Sequence, residues 1–243
     1  MGDLMQSQRL GIVLPPCLGV AFDQAWDAVD ARVSTTGSSP RLFGVAWHGF
    51  GYRVTTVTEY AQRYRMQQPY GCAGHDGNFR NDQALVDYLF NACSALDCLV
   101  IAAYAIASDL KPQEFPSDSV QLRRVTRRVL ATRFQTHWPG ANLTEVLVKV
   151  YEDSKISRLF AIRDVVTHRG TLPRTLYAGG DRHGKVTVPS NVKDPPDVWE
   201  SDLELGDASV ADWQATLEPL FERAVVAVIG FTSSSPNGEQ GDA

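Results

Sequence analysis

The chain has 243 residues, of which 44% are hydrophobic, 21% charged and 9% aromatic, and its net charge at neutral pH is −5. This is the balance of a globular chain able to bury one large core or two small ones, and it excludes an extended disordered polymer. The acidic balance excludes a global basic field that captures nucleic acid indiscriminately, so any RNA or DNA contact needs a local patch. Met1-Gly2-Asp3-Leu4-Met5 lacks the basic start and apolar run of a secretory signal. The apolar stretch nearest to a membrane span, Leu96 to Ala107, falls short of about 18 residues and is interrupted by Asp97. Four cysteines, Cys17, Cys72, Cys93 and Cys98, are too few and too scattered for a disulfide framework. The expectation is a chain of the reducing cytoplasm with no membrane partner.

Apolar residues recur at helical spacing along most of the chain, which predicts an all-α fold. A first amphipathic helix is predicted over residues 20–33, with Phe22, Ala25, Trp26 and Val29 on one side. Ser39 as N-cap and Pro40 as first helical residue open the next helix, about residues 41–66. Its apolar stripe is read as Leu42, Val45, Tyr52, Thr56, Tyr60 and Tyr64, and Gly44, Gly49 and Gly51 weaken its first half. Pro69 to Asn78 reads as a glycine-rich loop. The strongest helix, Asp82 to Ser108, carries Leu85, Leu89, Phe90, Cys93, Leu96, Leu99, Val100, Ala103 and Tyr104 on a wide apolar face and is closed by Pro112. At about 1.5 Å per residue it spans roughly 40 Å, a length that a long helical bundle buries.

A further helix is predicted over Ser119 to Thr136, ended by Pro139-Gly140. Asn142 with Glu145 resembles a capping box. Helical pattern then continues to His168, with a break at Asp153-Ser154, and Gly170 stops it. The segment Thr171 to Gly206 holds four prolines and four glycines. Within it, Arg174 to Ala178 and Lys185 to Val188 flank Gly179 to Gly184 as a short hairpin would. A last helix over Ala208 to Ile229 turns Val210, Trp213, Leu217, Leu220, Phe221, Ala224 and Val228 inward, and Pro219 is expected to kink it. Ser233 to Ala243 reads as a polar tail. The sum is one helical domain over residues 1–232, with an irregular insertion at residues 171–206 before the last helix.

The functional signal lies in Ile162-Arg163-Asp164-Val165-Val166-Thr167-His168-Arg169-Gly170. It places a permanent cation and a group titrating near neutral pH five positions apart at a helix end. Five residues turn a helix by about 140° and climb about 7.5 Å, so convergence relies on arginine's length and on an unwound last turn at His168. Such a pair can bind a phosphodiester and cleave RNA without metal. The ribose 2′-hydroxyl attacks, a base removes its proton, an acid protonates the departing 5′-oxygen, and cations stabilise the charged transition state. One motif supplies one histidine, whereas the chemistry needs two proton transfers, and a homodimer would bring two copies into one cleft. The structural alternative is that His168 and Arg169 simply complement the dipole at a helix C-terminus.

These residues resemble the HEPN superfamily, all-α domains in which an arginine, four to six intervening residues and a histidine lie near the end of a bundle helix. Arg163, the four residues Asp164 to Thr167, and His168 match that pattern, and Arg169-Gly170 and Pro173-Arg174 look like its flanks. The long helix around Leu89 to Tyr104 looks like the aliphatic helix that precedes the motif. The resemblance implies a four- or five-helix bundle and a metal-independent endoribonuclease acting as a dimer with a composite site, in a toxin or defence setting with an antitoxin or other regulatory partner. It implies that Arg163 holds phosphate and His168 transfers a proton or orients the substrate. No cofactor is implied. The family often has asparagine after the arginine. Asp164 stands there instead, and it repels phosphate unless it pairs with Arg163 or orients His168. Many superfamily members are inactive scaffolds that bind a nucleotide, RNA or protein.

Other residues carry weaker signals. Thr167 and Arg169 are candidate phosphate contacts. Arg123, Arg124, Arg127, Arg128 and Arg133 crowd into one predicted helix, giving Asp118 to His137 a local net charge of +4. The pairs Arg123/Arg127 and Arg124/Arg128 would share a face able to track an RNA backbone. The alternative is a solvated face compensated by Glu145, Glu152 and Asp153. Cys72-Ala73-Gly74-His75-Asp76 has metal-ligand types but no second paired motif, so no metal is expected. Trp47-His48 is read as packed core, Arg182-His183 as a hairpin tip. Arg53, Arg63 and Arg65 could flank a cleft, without a spacing that selects them.

Overall fold

The computed structural model of the chain describes residues 6–32, 38–67, 75–169, 174–175, 185–188, 203–205 and 207–233. Within them helical periodicity becomes α1 (Ala21–Arg32), α2 (Ser38–Gln67), α3 (His75–Leu110), α4 (Ser119–Leu122), α5 (Arg127–His137), α6 (Asn142–Glu152), α7 (Ser154–Arg169) and α8 (Asp207–Ser233). Three short strands, β1 (Arg174–Thr175), β2 (Lys185–Val188) and β3 (Leu203–Leu205), form an antiparallel sheet in the order β1-β2-β3. Arg174 pairs with Val186, and Val186 with Leu205. The fold is an all-α bundle. The predicted hairpin tip and the tail from residue 234 lie outside the described residues.

The chain divides into two compact units. The first comprises Met1–Thr55, Ser94–Glu152 and Glu218–Ala243. Its core is aromatic. Trp47 stacks between Phe22 and Phe43, at ring-centroid distances of 5.1 and 5.5 Å, and on Phe50 at 5.0 Å. Its indole N–H donates to the Phe22 carbonyl at 3.2 Å, so the buried ring leaves no donor unmatched. The approach is close at Gly51, where a Cβ would lie 2.7 Å from both Leu10 and Phe22. A second cluster gathers Tyr104, Phe134 and Trp138 around Phe115, and Phe231 packs on Phe134 and Trp138. In α3 every residue from Ala102 to Ser108 is buried, so the helix is covered around its whole circumference there. Outside the core, Asp23 accepts from the Ser7 hydroxyl at 2.6 Å and the Gln8 amide at 2.9 Å, tying the N-terminal segment to α1.

The second unit comprises Thr56–Cys93 and Asp153–Leu217. Its buried apolar residues come from α2 (Val57, Ala61, Tyr64), α3 (Ala84, Leu85, Tyr88, Leu89), α7 (Ile156, Leu159, Phe160, Ile162, Val165) and α8 (Val210, Trp213, Leu217). Tyr88 stacks on Trp213 at 6.2 Å, and the Tyr64 hydroxyl donates to the carbonyl of Leu205 in β3 at 3.5 Å.

Several sequence expectations are corrected. The buried stripe of α2 runs through Phe43, Trp47, Phe50, Val54, Val57, Ala61 and Tyr64, whereas Val45 and Tyr52 are exposed. His48 is exposed as well, not packed. Both stripes of α2 are apolar at helical spacing, and contact with Phe22 selects the aromatic one. The expected loop to Asn78 is shorter, because α3 is already helical from His75. The single helix expected over residues 119–136 is two. Asp118 caps α4, and Thr126 caps α5 by accepting from the Val129 amide at 3.2 Å. Ala141, not Asn142, precedes the first turn of α6. The Glu145 amide bonds its carbonyl, and the Thr144 hydroxyl reaches back to the Trp138 carbonyl at 2.6 Å. The break at Asp153 holds, since its carboxylate accepts from the Lys155 and Ile156 amides at 2.9 and 3.2 Å. Finally, a window of α3 within residues 79–110 is long and apolar enough to cross a membrane despite Asp97, and 72% of it is buried inside the protein.

The close approach at Gly51 gives a direct test. Gly51→Ala is expected to cost about 1–3 kcal/mol of unfolding free energy through overpacking. Gly44→Ala, whose Cβ meets only Trp26 at an ordinary 3.6 Å, is expected to gain about 0.5–1 kcal/mol through helix propensity. Denaturant titration of both variants checks the pair, and shifts of the same sign would refute the packing argument.

Candidate functional site

The motif belongs to α7, in the second unit. Asp153 caps the helix start, and Ile156, Leu159, Ile162 and Val165 are buried at helical spacing, which fixes the rotation of α7 about its axis. Arg163, Asp164 and Thr167 are thereby left on the more open side. Arg163 is partly covered, with 25% of its side chain exposed. Its Nε lies 2.9 Å from Oδ1 of the exposed Asp164, and its guanidinium sits 5.1 Å above the ring centroid of the buried Phe160. A carboxylate lies at one edge of the planar fork and an aromatic face below it, and the Nε at that edge is buried.

Thr167 donates its hydroxyl to the Arg163 carbonyl at 2.8 Å. Its donor thereby serves the helix. α7 stays helical through Arg169, so the unwound last turn expected at His168 is absent. The backbone of Arg163 and His168 keeps the helical offset of about 140° and 7.5 Å. The side chains of His168 and Arg169 lie outside the described residues.

Arg158, which carries no motif and escaped the sequence reading, stands on the buried stripe of α7, four and seven positions before Ile162 and Val165. Its Nε and Nη2 are buried without a hydrogen-bond partner among the described residues. A lone arginine between apolar residues gives no sequence signal of burial, because long basic side chains usually reach solvent.

The arginine-rich segment belongs to the first unit. The helix break separates the expected i,i+4 pairs. Arg123 is the C-cap of α4, Arg124 lies in the turn, and Arg127 and Arg128 open α5. Arg123, Arg124 and Arg128 are exposed. The expected compensation is also corrected. Glu145 pairs with Arg223 at 3.3 Å, and Asp153 caps α7. Among the described residues no carboxylate pairs with Arg123, Arg124 or Arg128. Arg133 is committed to structure, donating to the Glu114 carbonyl at 3.1 Å and covering Phe115.

Cysteine chemistry finds no support among the described thiols. Burial, reinforced by Glu218 and Glu222, pushes Cys17 up to about 12. Burial raises Cys98 as well, and Cys93 is buried on α3. A protonated thiol is a poor nucleophile and metal ligand. Of the run Cys72 to Asp76, residues 72–74 lie outside the described residues, and His75 and Asp76 are the first residues of α3.

Compared with models of known protein families, with curated proteins and with solved structures, the chain matches none.

Arg158 gives a test of the electrostatics of α7. A buried donor left unmatched costs about 1–3 kcal/mol, so Arg158→Met is expected to raise the unfolding free energy by that amount in chemical denaturation. A loss of stability would show that the guanidinium has a partner on which the fold relies.

Proposed function

We propose that this chain is a metal-independent endoribonuclease of the HEPN type, working in the cytoplasm as a homodimer through Arg163 and His168. The observation that carries the reading is the posture of Arg163. Asp164 and Phe160 hold its guanidinium at the open side of a bundle helix that ends, regular to its last turn, in His168-Arg169. Asp164 in this reading orients the arginine, which answers the objection that a carboxylate at that position only repels phosphate. Arg123, Arg124 and Arg128, which pair with no carboxylate among the described residues, support it further, as a local foothold for a polyanion on an acidic chain.

In the proposed reaction Arg163 engages the non-bridging phosphate oxygens. The 2′-hydroxyl loses its proton to a base and attacks phosphorus, the bond from phosphorus to the 5′-oxygen breaks, and that oxygen takes a proton. His168 carries one proton transfer and His168 of the second protomer the other. The helical offset between Arg163 and His168 makes a composite site the economical way to gather both groups. A toxin or defence role with an antitoxin or other regulatory protein fits such an activity, which a cell must restrain.

A second reading is favoured by one observation: the ion pair with Asp164 offsets the charge that Arg163 offers to phosphate. In that reading the chain is a non-catalytic HEPN-like scaffold that binds a nucleotide, RNA or protein.

RNA cleavage in the presence of a chelator separates the two. The nuclease reading expects chelator-resistant cleavage that falls about 10²–10⁴-fold in His168→Ala and about 10²–10³-fold in Arg163→Ala, with both variants folded by circular dichroism. Cleavage unchanged in both removes these residues from the site. RNA binding without cleavage, weakened by Arg163→Ala, selects the scaffold.

A further inference from the structure

Within the second unit, α2 and α3 line an open surface pocket of about 320 Å³ formed by Tyr60 and Arg63 from α2 and by Arg80, Gln83 and Ala84 from α3. The spacing explains the convergence. Tyr60 and Arg63 are three apart on one helix face, and Arg80, Gln83 and Ala84 are three and four apart on another. Ala84 is buried, while Arg63, Arg80 and Gln83 are exposed.

The Arg63 guanidinium sits 5.0 Å from the Tyr60 ring centroid, and among the described residues no carboxylate forms an ion pair with Arg63 or Arg80. The acidic groups acting on the Tyr60 hydroxyl are Asp87 and, more weakly, Glu59. Asp87 is foremost in holding that hydroxyl above its ordinary range, with burial next, so Tyr60 stays a neutral phenol at physiological pH. Two guanidinium groups facing one small pocket repel each other, and a dianion between them removes that repulsion while matching their planar forks.

We propose that this pocket binds the phosphate monoester of a small, nucleotide-sized molecule. Its volume lies at the small end of ligand pockets, which run from about 300 to 1,000 Å³, and suits a compact ligand better than a polymer strand. The Gln83 amide offers both a donor and an acceptor to the ligand's neutral part. This site uses none of the residues assigned to RNA cleavage and does not depend on that reading.

Isothermal titration of the full chain with AMP, inorganic phosphate and adenosine tests the proposal. AMP is expected to bind, phosphate to compete with it, and adenosine to bind at least 10-fold more weakly. Arg63→Gln and Arg80→Gln are each expected to weaken AMP at least 10-fold. Asp87→Asn, which removes a repelling charge, is expected to tighten it, a change of opposite sign that misfolding cannot produce. Arg163→Ala is expected to leave AMP binding intact. The proposal is overturned if AMP does not bind, if adenosine binds as tightly, or if AMP binding follows Arg163 rather than Arg63 and Arg80.

Discussion

A helix buried around its whole circumference needs neighbours on every side, and the run from Ala102 to Ser108 imposes that requirement on this chain. Four of those seven residues are alanine, which lets surrounding elements approach closely and leaves little room for a change of volume. The earlier part of α3 carries a second apolar face, from Ala84 to Cys93, that forms part of the core of the other unit. The apolar character that makes α3 long and hydrophobic enough for a membrane is thus accounted for by protein contacts over most of its surface.

Along α7 the same logic produces the candidate site. Burial of Ile156, Leu159, Ile162 and Val165 sets the helix rotation, and this decides that Arg163, Asp164 and Thr167 face outward. Asp164 and Phe160 then both bear on the Arg163 guanidinium, one as an ion-pair partner and one as an aromatic face. The ion pair is exposed on the carboxylate side and therefore weak. In the proposed reaction Arg163 would supply the electrostatic stabilisation that a phosphorane-like transition state requires.

How much of this was legible depended on whether one helix face or a choice between faces decided the outcome. The inward faces of α3 and α8 were plain from spacing, because their large apolar residues recur at helical spacing; only Phe90 proved half-buried. α2 was misread because it has two apolar stripes, and Gly51 settles the choice by admitting Phe22. Its glycines looked like helix weakeners, although Gly49 and Gly51 mark close packing against Cys98 and Phe22. The helix break at Thr126 was hidden by the arginines around it. Arg163 and Asp164 could be read from the motif. Arg158, and the meeting of Arg63 with Arg80 across seventeen positions, could not, because both depend on which helix packs against which.

The central claim is that the 2′-hydroxyl of RNA is the nucleophile at a site built on Arg163 and His168, with no metal taking part. It is tested most directly by the chemistry of the cut ends on an oligonucleotide carrying one cleavable ribose, digested with chelator present. The account predicts a 2′,3′-cyclic phosphate and a 5′-hydroxyl, and no cleavage once that ribose is replaced by its 2′-deoxy form. Cleavage of the deoxy substrate at an equal rate, or 3′-hydroxyl and 5′-phosphate ends, would contradict it.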